Sequence, residues 1–210
     1  LINWKLFTLL ESEDWDGLIS YLENRIYTKK NLHGYLIRIL ANTYLIKSNI
    51  DGISKLEELV RRQKPRLLKK MVLSFSVPRL IDGNAGGMED FFGEFVEVKG
   101  VHKADWVRFL YSFSLLLNNK SEEASLSLLA LCKRKVPPIL QLLIIYALSP
   151  FVEMGELEGV SCVEVRKKEL LSKYSKIKME LELERVKDNV VALVLNKFSK
   201  EAIGWLYKEL

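Results

Sequence analysis

The 210-residue chain contains few residues of the kinds that perform catalysis or bind metals. Its only histidines are His33 and His102, and its only cysteines are Cys132 and Cys162. These four residues are scattered, so no CxxC or HExxH spacing of a zinc site exists. Nucleophile-elbow, P-loop and dinucleotide-binding patterns are missing as well. We therefore predict a protein that is not an enzyme and needs no cofactor or metal, in which both cysteines are free thiols.

The sequence also lacks an apolar run long enough to cross a membrane. Its most apolar segments, 136–150 and 190–195, are shorter than the about 20 residues of a spanning helix. The first ten residues are amphipathic and contain no small-residue cleavage site of a signal peptide. These features predict a cytoplasmic protein that does not associate with membranes. Glutamine occurs only at Gln63 and Gln141 while Lys and Glu are abundant, a bias typical of thermophile proteins.

Apolar residues recur at helical spacing throughout the chain, and strand-like alternation is almost absent. The five prolines fall where helices are expected to begin or end. We predict an all-α fold of antiparallel helical hairpins. The predicted helices are 2–10, 12–26, 35–46, 51–62, 66–76, 88–98, 104–117, 122–133, 139–148, 163–183, 186–197 and 200–210.

The hairpins recur at nearly constant spacing. Gly17, Ile53 and Ala124 occupy similar places early in second helices, and they are 36 and 71 residues apart. The second hairpin resembles the tetratricopeptide consensus at a set of positions spread over both helices: Ile37, Leu40, Ala41, Tyr44, Ser48, Ile53, Leu56, Val60 and Pro65.

This resemblance implies a right-handed, tetratricopeptide-like α-α solenoid over residues 1–160. Residues 161–210 would then be capping helices of the same globular unit. HEAT-like repeats and an irregular helical bundle are the alternatives.

In the tetratricopeptide family the first helix of each hairpin faces the bound peptide. The resemblance therefore implies two groups of partner-binding residues: Tyr35, Arg38 and Asn42 in the second hairpin, and Trp106, Phe109 and Phe113 in the fourth. Arg38 and Asn42 are similar to the carboxylate clamp with which tetratricopeptide chaperone adaptors bind acidic C-termini. The fourth hairpin departs from that clamp, because it has aromatic residues where a second cation pair would stand. A stripe of aromatic residues at helical spacing is also typical of a core.

Charges alternate along the chain between the turns inside hairpins, which are acidic, and the joints between hairpins, which are basic. The helix dipole favours such a pattern, but it does not require six cations within residues 61–70. The predicted basic patch comprises Arg61, Arg62, Lys64, Arg66, Lys69, Lys70, Lys133, Arg134 and Lys135. With an overall charge of +5, it suits an acidic partner and is compatible with nucleic acid.

The sequence thus predicts a non-enzymatic interaction or scaffolding module that binds a peptide or an acidic protein surface. The alternative is a helical repeat protein that binds nucleic acid through the basic joints. The last helix carries Trp205 and Leu206 and must bury its apolar side, either on its own chain or in a homodimer formed by the C-terminal helices.

Overall fold

The computed structural model describes residues 4–153, 157–186 and 195–208, and every regular element in these ranges is a helix. The all-α prediction is therefore confirmed for the described residues. The helices are α1 (Trp4–Glu11), α2 (Trp15–Glu23), α3 (Gly34–Ile46), α4 (Ile50–Gln63), α5 (Pro65–Phe75), α6 (Val77–Asp82), α7 (Ala85–Gly93), α8 (Ala104–Leu117), α9 (Ser121–Cys132), α10 (Pro138–Glu153), α11 (Leu157–Lys173), α12 (Lys176–Val186) and α13 (Asn196–Leu206). A π-helical turn, Asn24–Thr28, continues α2. Most of the predicted helix 186–197 lies outside the described residues.

The chain divides into two compact units, Leu1–Pro78 and Arg79–Leu210, and the boundary lies within α6. In unit 1 each of the helices α1 to α5 packs against the next, and α3 also packs against α5. Apolar side chains spaced three and four residues apart form the core of this unit, for example Leu36, Leu40 and Tyr44 on α3. The division falls inside the predicted repeat region 1–160.

Unit 2 is organised around α10. Its side chains are apolar on all sides and are buried from Ile139 to Leu148 except at Gln141 and Tyr146. A helix of this kind must be surrounded by other helices, and α8, α9, α11, α12 and α13 all pack against it. No helix within the described ranges, α10 included, has the length and apolarity to cross a membrane.

A left-handed residue recurs in the turn before the second helix of the first four hairpins. Glu13, Ser48, Gly83 and Asn119 all have φ between 53° and 64°, and they follow one another at intervals of 35, 35 and 36 residues. In the first three turns the next residue is an Asp or Asn whose side chain accepts a hydrogen bond from the backbone N–H of a glycine three positions on. This N-cap fixes where the helix begins. The helical register therefore makes Gly52, not Ile53, the equivalent of Gly17.

Polar contacts join consecutive turns within each unit. In unit 1, Lys47 Nζ lies 3.1 Å from Asp16 Oδ2, which connects the α3–α4 turn to the start of α2. In unit 2, Lys120 and Asn118 donate to the carboxylate of Glu89 at 2.5 Å and 2.6 Å, which connects the α8–α9 turn to α7. Consecutive hairpin turns therefore lie side by side in each unit.

Pro150 does not end a helix, although the sequence predicts a helix over residues 139–148 that ends before this proline. Helix α10 continues through Pro150 to Glu153. A proline leaves the carbonyl four residues earlier without its helical partner, which here is the carbonyl of Tyr146. The Ser149 hydroxyl donates to that oxygen at 2.8 Å, which replaces the missing bond.

The predicted helix 163–183 is two helices, because α11 ends at Lys173 and α12 begins at Lys176. The Tyr207 hydroxyl donates to the backbone oxygen of Tyr174 at 2.7 Å and so satisfies a carbonyl at this break. The next residue, Ser175, caps the first turn of α12.

The sequence predicts that both cysteines are free thiols, and this prediction is wrong. Cys132, at the end of α9, and Cys162, in α11, form a disulfide with their Cα atoms 6.5 Å apart. Arg166 lies one turn beyond Cys162 and donates to the backbone oxygens of Cys132, Lys133 and Arg134. The spacing of two cysteines 30 residues apart carries no signal for this pairing, which depends on the packing of α11 against α9.

Candidate binding surface

Helix α3 presents a polar and aromatic side to solvent. Tyr35, Arg38 and Asn42 are all exposed, and their spacing places them along one side of the helix. Tyr35 leaves 50% of its surface accessible and stacks against the ring of His33 at a centroid distance of 5.9 Å. The structure thus brings the three predicted residues of the second hairpin together on one exposed side of α3.

Helix α5 lies directly beside α3 in unit 1. A Cβ atom placed on Gly34 would be 3.1 Å from Cδ1 of Leu67, so the two helices approach closely where they begin. Helix α5 exposes Arg66 and Lys70, while Lys69 is half-buried. Neither helix contains an Asp or a Glu. The pair of helices therefore carries four cations, one from α3 and three from α5, and no acid of its own.

The basic excess of the chain belongs entirely to unit 1. Residues 1–78 contain 13 Lys and Arg against 8 Asp and Glu, whereas residues 79–210 contain 19 of each. Unit 1 therefore accounts for the net charge of +5. The long-range field of the chain should attract anions to this unit, since unit 2 is neutral overall.

The predicted basic patch falls into two groups by environment. Arg61 and Arg62 form ion pairs with Glu57 and Glu58 one turn earlier, at 3.0 Å and 3.7 Å. Four other residues of the same segment form no ion pair within the part of the chain that the structure describes: Lys64, Arg66, Lys69 and Lys70. These four are the cations of this segment that an acidic partner can neutralise.

The remaining members of the predicted patch belong to unit 2. Lys133, Arg134 and Lys135 are exposed at the joint between α9 and α10. Arg134 pairs with Asp105 at 3.0 Å, so it joins the start of α8 to this joint. This joint therefore carries less free charge than its sequence suggested.

The aromatic stripe of α8 lies mostly in the core, which corrects its interpretation as a groove. Phe109 has no exposed surface and Trp106 keeps only 8%. Phe113 is half-buried and stacks on Phe109, and its other neighbour is Phe198 of α13 at 5.3 Å. Helical spacing predicted correctly that the rings share one side of α8, but it could not say whether that side faces solvent or the other helices.

The final helix docks on its own chain. Ala202, Ile203 and Leu206 are buried, and α13 packs against α10 and α12. Trp205 lies against the ring of Tyr146, and Lys167 Nζ sits 4.1 Å from the Trp205 ring centroid. The apolar surface that raised the possibility of a homodimer is thus covered within unit 2.

The described helices define a protein of helical hairpins that exposes cations on α3 and α5 of unit 1. The chain belongs to the family described as uncharacterised Treponema protein, whose model matches residues 52–208. It is similar to an uncharacterised protein of Treponema pallidum (strain Nichols), with 26% identity over 216 residues that cover 98% of this chain and 69% of that protein. No solved structure matches the chain.

The matching family model is neither a tetratricopeptide nor a HEAT model, so the repeat resemblance stays a prediction. The Treponema relative gives no support to the thermophile origin that the composition suggested.

Proposed function

We propose that this protein is a non-enzymatic interaction module that binds an acidic peptide, or an acidic segment of a protein, along α3 and α5 of unit 1. The observation that supports this most directly is the packing of two acid-free helices against each other. Together they expose Arg38, Arg66 and Lys70, and α3 also exposes Tyr35 and Asn42.

The proposal includes tetratricopeptide-like stacking of the hairpins within each unit. It is supported by the recurrence of the left-handed turn residue every 35 or 36 residues and by the polar contacts between consecutive turns. In such a stack first helices are neighbours, as α3 and α5 are in unit 1. Residues from two successive hairpins then form one binding surface.

The chemistry of this surface suits an extended acidic chain. Arg38 offers a guanidinium that can bind a carboxylate through two hydrogen bonds, and Asn42 offers an amide one turn away. Tyr35 provides an aromatic ring for the aliphatic part of a bound side chain. The lysines of α5 add charge without fixed geometry, which favours attraction over strict sequence selectivity.

We also infer that the protein folds in an oxidising compartment. The Cys132–Cys162 disulfide supports this, because structural disulfides persist in such compartments and are rare in the cytoplasm. The disulfide therefore argues against the cytoplasmic location predicted from the sequence.

The binding proposal can be tested by fluorescence anisotropy with a labelled ten-residue peptide of glutamate and aspartate. The double variant Arg38→Ala/Lys70→Ala removes one exposed cation from each helix. Two exposed ion pairs together contribute up to about 1.4 kcal/mol, so we expect Kd to rise about tenfold. The matched control is Lys5→Ala/Lys29→Ala, which removes the same charge from unit 1 away from α3 and α5 and should leave Kd nearly unchanged.

Two results would contradict the proposal. The first is no binding of the peptide at low salt. The second is an equal loss of affinity in both double variants, since that would mean that net charge alone attracts the peptide. A labelled 20-nucleotide RNA and a DNA duplex should be measured in parallel. Tighter binding of either, with an affinity that falls steeply as salt increases, would replace the acidic-peptide proposal by the nucleic-acid alternative.

A further inference from the structure

A polar cleft lies within unit 1 between α1, α2 and the π-helical turn. Its volume is about 890 Å³, and ten residues line it: Lys5, Leu9, Asp14, Gly17, Ser20, Tyr21, Asn24, Arg25, Lys29 and Asn31. Apart from Leu9 and Gly17, every lining side chain carries a polar or charged group. None of these residues belongs to the α3–α5 surface.

Cations gather around one aromatic ring in this cleft. Lys5 Nζ lies 5.6 Å from the centroid of the Tyr21 ring, and the guanidinium carbon of Arg25 lies 5.7 Å from it. Arg25 Nη1 also donates to the Tyr21 hydroxyl at 2.8 Å, which holds the guanidinium in place. Two positive groups from different helices are therefore held beside the same side chain.

The π-helical turn adds a third cation. The backbone N–H of Lys29 bonds to the oxygen of Asn24 at 3.0 Å, five residues earlier, and that of Asn31 bonds to the oxygen of Arg25 at 2.9 Å. These wide turns end the helical segment that begins with α2, and Arg25, Lys29 and Asn31 all line the cleft.

The acid that lines the cleft, Asp14, serves as a helix cap. The carboxylate of Asp14 accepts the backbone N–H of Gly17 at 2.9 Å as the N-cap of α2. Within the described residues neither Lys5 nor Lys29 forms an ion pair. The charges of Lys5 and Lys29 are therefore available to a bound anion.

We propose that this cleft binds the phosphate group of a small hydrophilic ligand. A phosphate monoester carries a charge near −2 and three terminal oxygens, so it offers an acceptor for each of the three cations that line the cleft. A single carboxylate has two oxygens and one charge and would leave part of this set unmatched. The cleft is larger than a phosphate group alone needs, and the amides of Asn24 and Asn31 can bind hydroxyl groups of the ligand's body.

The proposal can be tested by the thermal stability of the full chain with added anions at constant ionic strength. The probes are inorganic phosphate, glucose 6-phosphate, and the dicarboxylate succinate. We expect both phosphate compounds to raise Tm by several degrees at millimolar concentration and succinate to do so much less, since ligands that bind only the folded state stabilise it. The double variant Lys5→Ala/Lys29→Ala should lose this shift, and Arg38→Ala/Lys70→Ala, with the same charge change, should keep it.

A larger shift with glucose 6-phosphate than with inorganic phosphate would support a phosphate ester as the ligand, and equal shifts would support free phosphate. Equal shifts with succinate, no shift with any probe, or persistence of the shift in Lys5→Ala/Lys29→Ala would overturn the phosphate site. In the peptide experiment the same two double variants are used the other way round: Arg38→Ala/Lys70→Ala is the test variant and Lys5→Ala/Lys29→Ala is the control. Failure of one proposal therefore leaves the other intact.

Discussion

Reduction of the Cys132–Cys162 disulfide should lower the stability of unit 2 without unfolding it. The bond joins α9 to α11, which also pack directly against each other. Arg166 bonds to three backbone oxygens at the end of α9, so a second set of contacts holds the same two segments. We therefore expect the folded geometry to survive reduction and the loss to come mainly from greater freedom of the unfolded chain.

The size of this loss follows from the length of the closed loop. The two cysteines are 30 residues apart. Closing a loop of this length in the unfolded state corresponds to about 3.5 kcal/mol at 25 °C. For a chain of this size each kcal/mol shifts Tm by about 2–4 °C, so Tm should fall by about 7–14 °C.

The assay is thermal unfolding followed by circular dichroism at 222 nm, with and without a thiol reductant. The double variant Cys132→Ser/Cys162→Ser should have the helical spectrum of the wild type at 20 °C and the Tm of the reduced wild type. Its Tm should not change when reductant is added, which controls for other effects of the reagent. Equal Tm values for oxidised and reduced wild type would refute the reasoning.

The compartment can be tested with the same cysteines. The chain is produced in a bacterial host with and without an export signal, and free thiols are trapped with a maleimide mass tag before lysis. We expect no tagged thiol in the exported protein. Two tagged thiols in the exported, folded protein would contradict the disulfide and so remove the support for the inferred oxidising compartment.

Two further substitutions have effects that follow from local geometry. Gly52→Ala would place a Cβ atom 2.9 Å from the ring of the buried Tyr44, so chemical denaturation should show a loss of about 1–3 kcal/mol. Gly86→Ala has room within α7 and should stabilise by about 0.5–1 kcal/mol, and a similar loss at both sites would contradict the steric argument. Hydrogen bonds from Lys173 and then Arg166 lower the pKa of Glu169 from 4.5 to about 2, so its contribution to stability is present above pH 4.5 and is lost as the pH falls towards 2. Glu169→Gln should therefore flatten the decline of Tm in this pH window, and an unchanged slope would argue against this role of Glu169.

Sequence periodicity was sufficient to predict the all-α fold, because burying one side of each helix imposes the same spacing of apolar residues. The turn residues Glu13, Ser48, Gly83 and Asn119 recur at 35 or 36 residues, which agrees with the predicted spacing, but the repeat itself stays a prediction. Helix ends were less predictable where a single side chain decides them. Helix α10 continues through Pro150 because the Ser149 hydroxyl replaces the backbone hydrogen bond that the proline cannot make. The pattern of apolar residues contains no signal for this replacement.

Features that depend on contacts between distant segments could not be predicted. Helical spacing placed the rings of α8 on one side, but the burial of Phe109 depends on what packs against that side. The cleft around Tyr21 likewise could not be predicted from the sequence, because its three cations come from α1 and from both ends of a π-helical turn. The charge pattern of the first 30 residues gives no signal for the cleft, because residues 11–16 contain four acids that lie between these cations in the sequence.

The alternation of acidic turns and basic joints has two different physical meanings in this chain. Three acidic residues of the turns make contacts within the chain: Asp14 caps α2, Asp16 pairs with Lys47, and Glu89 binds Lys120 and Asn118. The helix dipole and these contacts therefore account for these three acids without any partner. They do not account for the cations of α5, which lie in the first half of that helix, where the dipole disfavours positive charge. Because none of these cations forms an ion pair within the part of the chain that the structure describes, we assign the proposed partner surface to α3 and α5 and not to the turns.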